Sequence, residues 1–140
     1  MGDFGVDVAD VATDADLETY VLGKSALQDL IPDEWLSDDG TTKTAKRLMQ
    51  VVLDDILQAL ESRRPPIRPA DMVSYVELKG PVCLGTIERL YMGKATHDDS
   101  PNLKKSAAFG KQYSAAINSM QPRLRQGSTT SSLSIRLERG

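Results

Sequence analysis

Few residues in this chain could carry chemistry. His97 is its one histidine, and it stands beside Asp98 and Asp99 in the polar stretch from His97 to Asn102. A carboxylate next to an imidazole can tune a general base, but no serine or cysteine motif can be tied to this one. Asp54-Asp55 and Asp38-Asp39 offer paired carboxylates. Neighbours on a helix point about 100° apart, so Asp54 and Asp55 do not share a site. Helix-surface or capping charge explains both pairs better. Cys83, the one cysteine, falls on an apolar stripe with no activating neighbour, which predicts a buried structural thiol. One Cys and one His cannot build a disulfide framework or a zinc site within one subunit. Neither a G-x-x-x-x-G-K-S/T loop nor a G-x-G-x-x-G turn occurs. These residues predict no enzyme, no cofactor and no metal.

Charge is the stronger signal. Residues 1–39 hold eleven acids against one base, Lys24, for a net of −10, while residues 40–140 carry +7. Two such segments attract each other within a subunit or between neighbours, unless the acidic one is simply solvated. Three basic clusters stand out: Arg63, Arg64 and Arg68; Lys104 and Lys105; Arg123 and Arg125. They could contact phosphates without reading sequence. No aromatics interleave with them and the overall balance is acidic, which argues against sequence-specific recognition. Salt bridges to an acidic segment of an adjacent subunit account for them at least as well.

The elements that must position these groups are mainly helical. Apolar residues make up 40% of 140 residues but aromatics only 5%, which suits packed helices better than a β-sandwich. No run of about 18 apolar residues crosses a membrane, and acids stand where a secretory signal would carry bases. A cytoplasmic origin is the expectation. Residues 1–12 read as an acidic extended arm. A helical core of about four helices spans 13–122. It begins at Thr13, a capping residue, continues in a short helix that Ser25 can cap, and ends that region at Pro32. The clearest helix runs from about Thr42 to Ser62, with Leu48, Met49, Val52, Leu53, Ile56, Leu57 and Leu60 on one face. Three prolines between Arg64 and Pro69 enforce an extended connector. A helix resuming near Asp71 meets Gly80-Pro81, which kinks or splits it. A last helix spans roughly Asn102 to Met120.

Residues 123–140 form a C-terminal tail: a Gln-Gly-Ser-Thr-Thr-Ser-Ser linker, then Leu133-Ser-Ile-Arg-Leu-Glu-Arg139 with strict apolar–polar alternation. Leu133, Ile135 and Leu137 thus predict a short β-strand. A lone strand must pair with something, so this one is expected to add to a sheet edge in a neighbour or another protein. A chance alternation, or a tail packed on its own domain, are the alternatives.

In order, these features are an amphipathic helix with an acidic lead, Ser62-Arg-Arg-Pro-Pro-Ile-Arg-Pro-Ala-Asp71, a Lys79–Tyr91 helix ending in Leu90-Tyr91, a polar break, and a Lys104–Met120 helix with Tyr113. That order resembles the head–tail connector (adaptor) family of tailed bacteriophages, over about residues 14–122. The resemblance implies a virion neck protein assembled in the host cytoplasm. It implies copies in a ring, commonly twelvefold, joining the portal to a tail-side neck or tail-terminator protein, with genomic DNA passing through unread. The alternative class is a small helical regulatory or adaptor domain that binds a protein partner or DNA as an oligomer.

Overall fold

A computed structural model describes residues 4–38, 40–95 and 101–125. The fold is mainly helical, with five α-helices among the described residues: α1 (Asp14–Leu17), α2 (Lys24–Leu30), α3 (Lys46–Glu61), α4 (Lys79–Lys94) and α5 (Pro101–Ser119).

Thr13 is the N-cap of α1, as its side-chain type predicts, and the Asp16 carboxylate accepts from its backbone N–H at 2.8 Å and its hydroxyl at 3.2 Å. Gly23, at φ +96°, turns the chain into α2, so glycine and not Ser25 occupies the cap. After Pro32 a small antiparallel bridge joins Leu36 to Lys43. The Ser37 N–H donates to the Thr42 carbonyl at 2.8 Å, and the Thr44 N–H donates to the Trp35 carbonyl at 2.8 Å.

Asp14 reaches from α1 to the start of α3, where it accepts from the Ala45 N–H at 2.9 Å and the Thr44 hydroxyl at 2.6 Å. A carboxylate there satisfies amide donors that have no partner within the helix and complements the positive end of its dipole. Met49, Val52, Leu53, Ile56, Leu57 and Leu60 of α3 are buried, which is the stripe the periodicity predicts.

No helix begins at Asp71. Residues 69–71 and 76–78 are separate 3₁₀ turns, and α4 starts afresh at Lys79. Pro81 is the third residue of α4, where the missing N–H has no intrahelical acceptor to lose, so the proline opens the helix instead of kinking it. α4 is the central element, burying Val82, Cys83, Gly85, Thr86, Ile87 and Leu90 between α3 and α5. The one polar side chain among them is satisfied, since the Thr86 hydroxyl donates to the Val82 carbonyl at 2.7 Å.

α5 runs antiparallel along α4. Tyr91 stacks on Phe109 at 5.8 Å, the Ser106 hydroxyl donates to the Glu88 carbonyl at 2.9 Å, and Gly85 faces Tyr113. One face of α5 packs, while Ala107, Ala108 and Ala115 lie on its exposed face.

Both chain ends differ from the sequence expectation over their described parts. Residues 4–12 are not a projecting arm: Val6, Val8, Val11 and Ala12 are buried in the core. The Gln50 amide holds them there, accepting from the Val8 N–H and donating to the Val6 carbonyl, both at 2.9 Å. Four small apolar residues among the acids supply the burial that an extended arm lacks. At the other end, residues 123–125 are held on the domain instead of beginning a linker. Leu124 bridges Met72, the Val73 N–H donates to the Arg123 carbonyl at 2.9 Å, and the Arg125 N–H donates to the Asp71 carbonyl at 2.7 Å. The strand predicted at Leu133, Ile135 and Leu137 lies outside the described residues, as does His97.

Candidate interaction surface

Among the residues weighed for chemistry, the structure brings no reactive set together. Cys83 is fully buried and its thiol is pushed up to about 12, by burial first and by the Asp16 carboxylate second, with Lys79 opposing. A thiol held protonated in this way is no nucleophile at neutral pH. Asp54 and Asp55 diverge as helix geometry requires: Asp54 accepts from the Gln50 amide at 3.3 Å, and Asp55 pairs with Arg89 at 2.7 Å. Among the described residues no group of acids, His and Cys could hold a metal ion. No helix there is long and apolar enough to cross a membrane.

The basic clusters divide into two places. Arg63, Arg64, Arg68, Arg123 and Arg125 gather where α3 and α5 end. Arg63 lies across the C-terminus of α5, its guanidinium donating to the Met120 carbonyl at 2.5 Å and the Ile117 carbonyl at 2.7 Å. These carbonyls are among those a helix leaves unpaired, and a planar fork suits two of them at once. Arg64 donates to the Arg63 carbonyl at 3.1 Å, and Arg68 pairs with Glu61 at 3.4 Å. Arg123 pairs with Glu77 at 3.8 Å, and the Arg125 guanidinium donates to the Met72 carbonyl at 3.1 Å. Lys104 and Lys105 sit at the opposite end of α5; Lys104 is exposed, and the Lys105 ammonium lies 5.4 Å from the Tyr91 ring centre. Most of these cations therefore act first on their own chain.

The acidic segment is likewise engaged within the subunit. Asp16 pairs with Lys79 at 3.6 Å and Asp33 with Lys43 at 3.3 Å. Asp7 accepts from the Ala9 N–H at 3.0 Å, and that bond holds its carboxyl below the usual range.

A surface that the sequence pattern does not announce is formed at Trp35. The chain's one tryptophan is 37% exposed between two open clefts, of about 400 Å³ and 250 Å³. The larger runs to the last turns of α4 at Leu90, Gly93 and Lys94. The smaller is lined by Leu36, Asp38, Lys46 and Arg47. Leu36 beside it is 54% exposed. A half-exposed tryptophan flanked by concavities has the composition of an interface anchor. The available signal was a lone aromatic between Pro32 and the Ser37–Thr42 turn, in a stretch without helical period.

No family model, curated protein or solved structure matches this chain.

Proposed function

We propose that this chain is a structural subunit of a phage head–tail connector, assembling as a ring of identical copies beneath the portal. On this reading its core is a helical bundle and the sequence beyond Arg125 is its connecting segment. One observation carries the reading. The helices occur in the order that gives the resemblance, α3, a proline-marked crossing, α4 ending in Leu90-Tyr91, then α5. They pack as one unit whose described end, residues 123–125, is fastened to the domain, with fifteen further residues following it in the sequence. Such a unit needs no chemistry. Its work is geometric, with the angle between copies setting the number that closes a ring.

The portal above and a neck or tail-terminator protein below are the proposed partners, with DNA passing through the centre unread. Exposed acids at Asp10, Asp29, Glu34 and Asp38 are compatible with a surface along which DNA slides. Co-expression with the portal protein of the same phage tests the proposal, with size read by light scattering and shape by electron microscopy. A closed multi-subunit ring on the portal is expected. A stable dimer that retards DNA at low salt would instead favour the regulatory-domain alternative and overturn the ring.

A further inference from the structure

Among the described residues, the bridge made by Leu36 beside Trp35 has an edge with no strand paired to it. In an antiparallel pair, a residue flanked by hydrogen-bonded neighbours points its own N–H and C=O away from the partner strand. Leu36 is such a residue. The bonds on either side of it are made by Trp35 and Ser37, to Thr44 and Thr42. The backbone groups of Leu36 therefore face outward, next to an exposed side chain and a half-exposed tryptophan. This is a small sheet edge with an aromatic anchor beside it.

The chain also contains one segment with the pattern such an edge accepts, the alternating residues 133–139. We infer that the segment Leu133–Leu137 of one copy adds as a strand to the Leu36 edge of a second copy, setting Leu133, Ile135 and Leu137 over Trp35 and its two clefts. This rests on reading the chain as a self-assembling subunit, and it names the contact that joins one copy to the next.

Three features support that occupant. The first is charge. Glu34 and Asp38 flank Leu36 and line the smaller cleft together with Trp35. A tail strand laid along Leu36 brings its base Arg136 beside two exposed acids. The second is spacing. Alternate residues of a strand are about 6.6–6.8 Å apart, so successive apolar side chains step from one side of the indole to the other.

The third is reach. The tail leaves the domain at Arg125, whose partners Asp71 and Met72 lie before the start of α4, whereas Trp35 lies against the last turns of α4. Sixteen residues of helix separate these places by about 24 Å. Eight residues lead from Arg125 to Leu133, with a maximum span of about 26–29 Å. A Gly/Ser-rich chain of that length has a typical end-to-end distance of about 16 Å. Folding back to its own cleft would need the linker almost fully drawn out. A neighbour presenting its Trp35 end to the tail root needs no such extension. Donor and acceptor at opposite ends of α4 make a heterologous pair of surfaces, which propagates from copy to copy until it closes.

The test uses the full-length chain, with self-association followed by light scattering across concentration and Trp35 emission recorded alongside. Ile135→Asp disables the donor and Leu36→Pro the acceptor, since proline removes the outward N–H. Each alone is expected to weaken self-association by about tenfold or more. Mixed, the two variants are expected to form a complex that stops at two, because each keeps one complementary surface. If Leu36→Pro fails to fold, the pair Glu34→Lys and Asp38→Lys replaces it, with Arg136→Glu in the same chain restoring assembly. Undiminished assembly of Ile135→Asp overturns the contact while leaving the ring standing. A monomer whose Trp35 emission changes with Ile135→Asp, independent of concentration, overturns it in favour of the chain's own cleft. An unaltered chain that stays monomeric, with no emission change and no pairing of the variants, also rejects it. The ring is then judged separately by portal co-expression.

Discussion

A Cβ built at Gly85 would lie 2.6 Å from the Tyr113 ring and 2.7 Å from Val52 Cγ1, whereas one at Gly110 would meet Glu88 Oε2 at 2.7 Å. The first pair of contacts is with packed side chains between three helices, and the second is with the far end of a flexible one. Alanine gains about 1 kcal/mol of intrinsic helix preference at either site. Overpacking the crossing at Gly85 costs about 1–3 kcal/mol, so Gly85→Ala is expected to lower the urea midpoint. Gly110→Ala is expected to leave it unchanged or to raise stability by up to about 1 kcal/mol. Cys83 offers a test with pH. Its thiol is pushed up to about 12 in the folded chain from an ordinary 9.0. Below the ordinary value both states hold the proton and nothing changes. As pH rises above it, the unfolded chain loses the proton while the folded one keeps it, so stability falls until the folded value is passed, by at most about 1.4 kcal/mol per pH unit. Tyr20 and Tyr113, also raised by burial, act in the same sense. Cys83→Ala should therefore lose less melting temperature between about pH 8 and pH 10.5 than the unaltered chain. The burial of Cys83 was legible in its apolar stripe. The role of Gly85 was not, because it depends on Tyr113 of another helix.

Arg63 closes the end of α5 from the end of α3, and this tie between elements predicts a graded response. Arg63→Ala removes two donors from partly buried carbonyls and is expected to cost about 1–3 kcal/mol, with faster hydrogen exchange at Met120. Arg63→Lys should recover only part, since an ammonium lacks the fork that reaches both carbonyls. Helices with a strong period were legible: the stripe from Met49 to Leu60 is the face α3 buries, and α5 spans Pro101–Ser119 against an expected Asn102–Met120. Local sequence pattern misleads where partners distant in sequence decide the outcome. Residues 4–12 look like a solvated arm until Gln50 supplies their backbone partners, and residues 123–125 look like a linker until the 71–73 segment pairs with them. Pro81 predicts a break only if a helix already runs into it from Asp71; at the start of α4 it is harmless. The Trp35 surface was illegible for a related reason. It is built from a bridge and the end of α4, which no local pattern links.

At the scale of the molecule, the described residues close on themselves at Arg125, and this decides what removing the rest should do. Met120 and Pro122 are buried, Leu124 packs partly against the core, and the Arg125 N–H ends the pairing with Asp71. Deleting residues 127–140 leaves all of these groups in place. The far-ultraviolet circular dichroism of the truncated chain should therefore match that of the full chain, and its melting temperature should shift by only a few degrees, as expected for a change below about 1 kcal/mol. Assembly should behave differently, because the alternating apolar residues proposed to join one copy to the next are the ones removed. If copies assemble as proposed, the truncated chain should fail to join the portal complex in a pull-down while melting as a folded protein. A truncated chain that unfolds would mean that the tail completes its own domain, and a folded one that still assembles would mean that the copies join through their helical faces. The charge asymmetry makes a further demand on the same samples. Asp16, Asp33, Arg68 and Arg123 are already paired within the subunit, so raising the salt should weaken assembly far less than losing Leu133, Ile135 and Leu137 does.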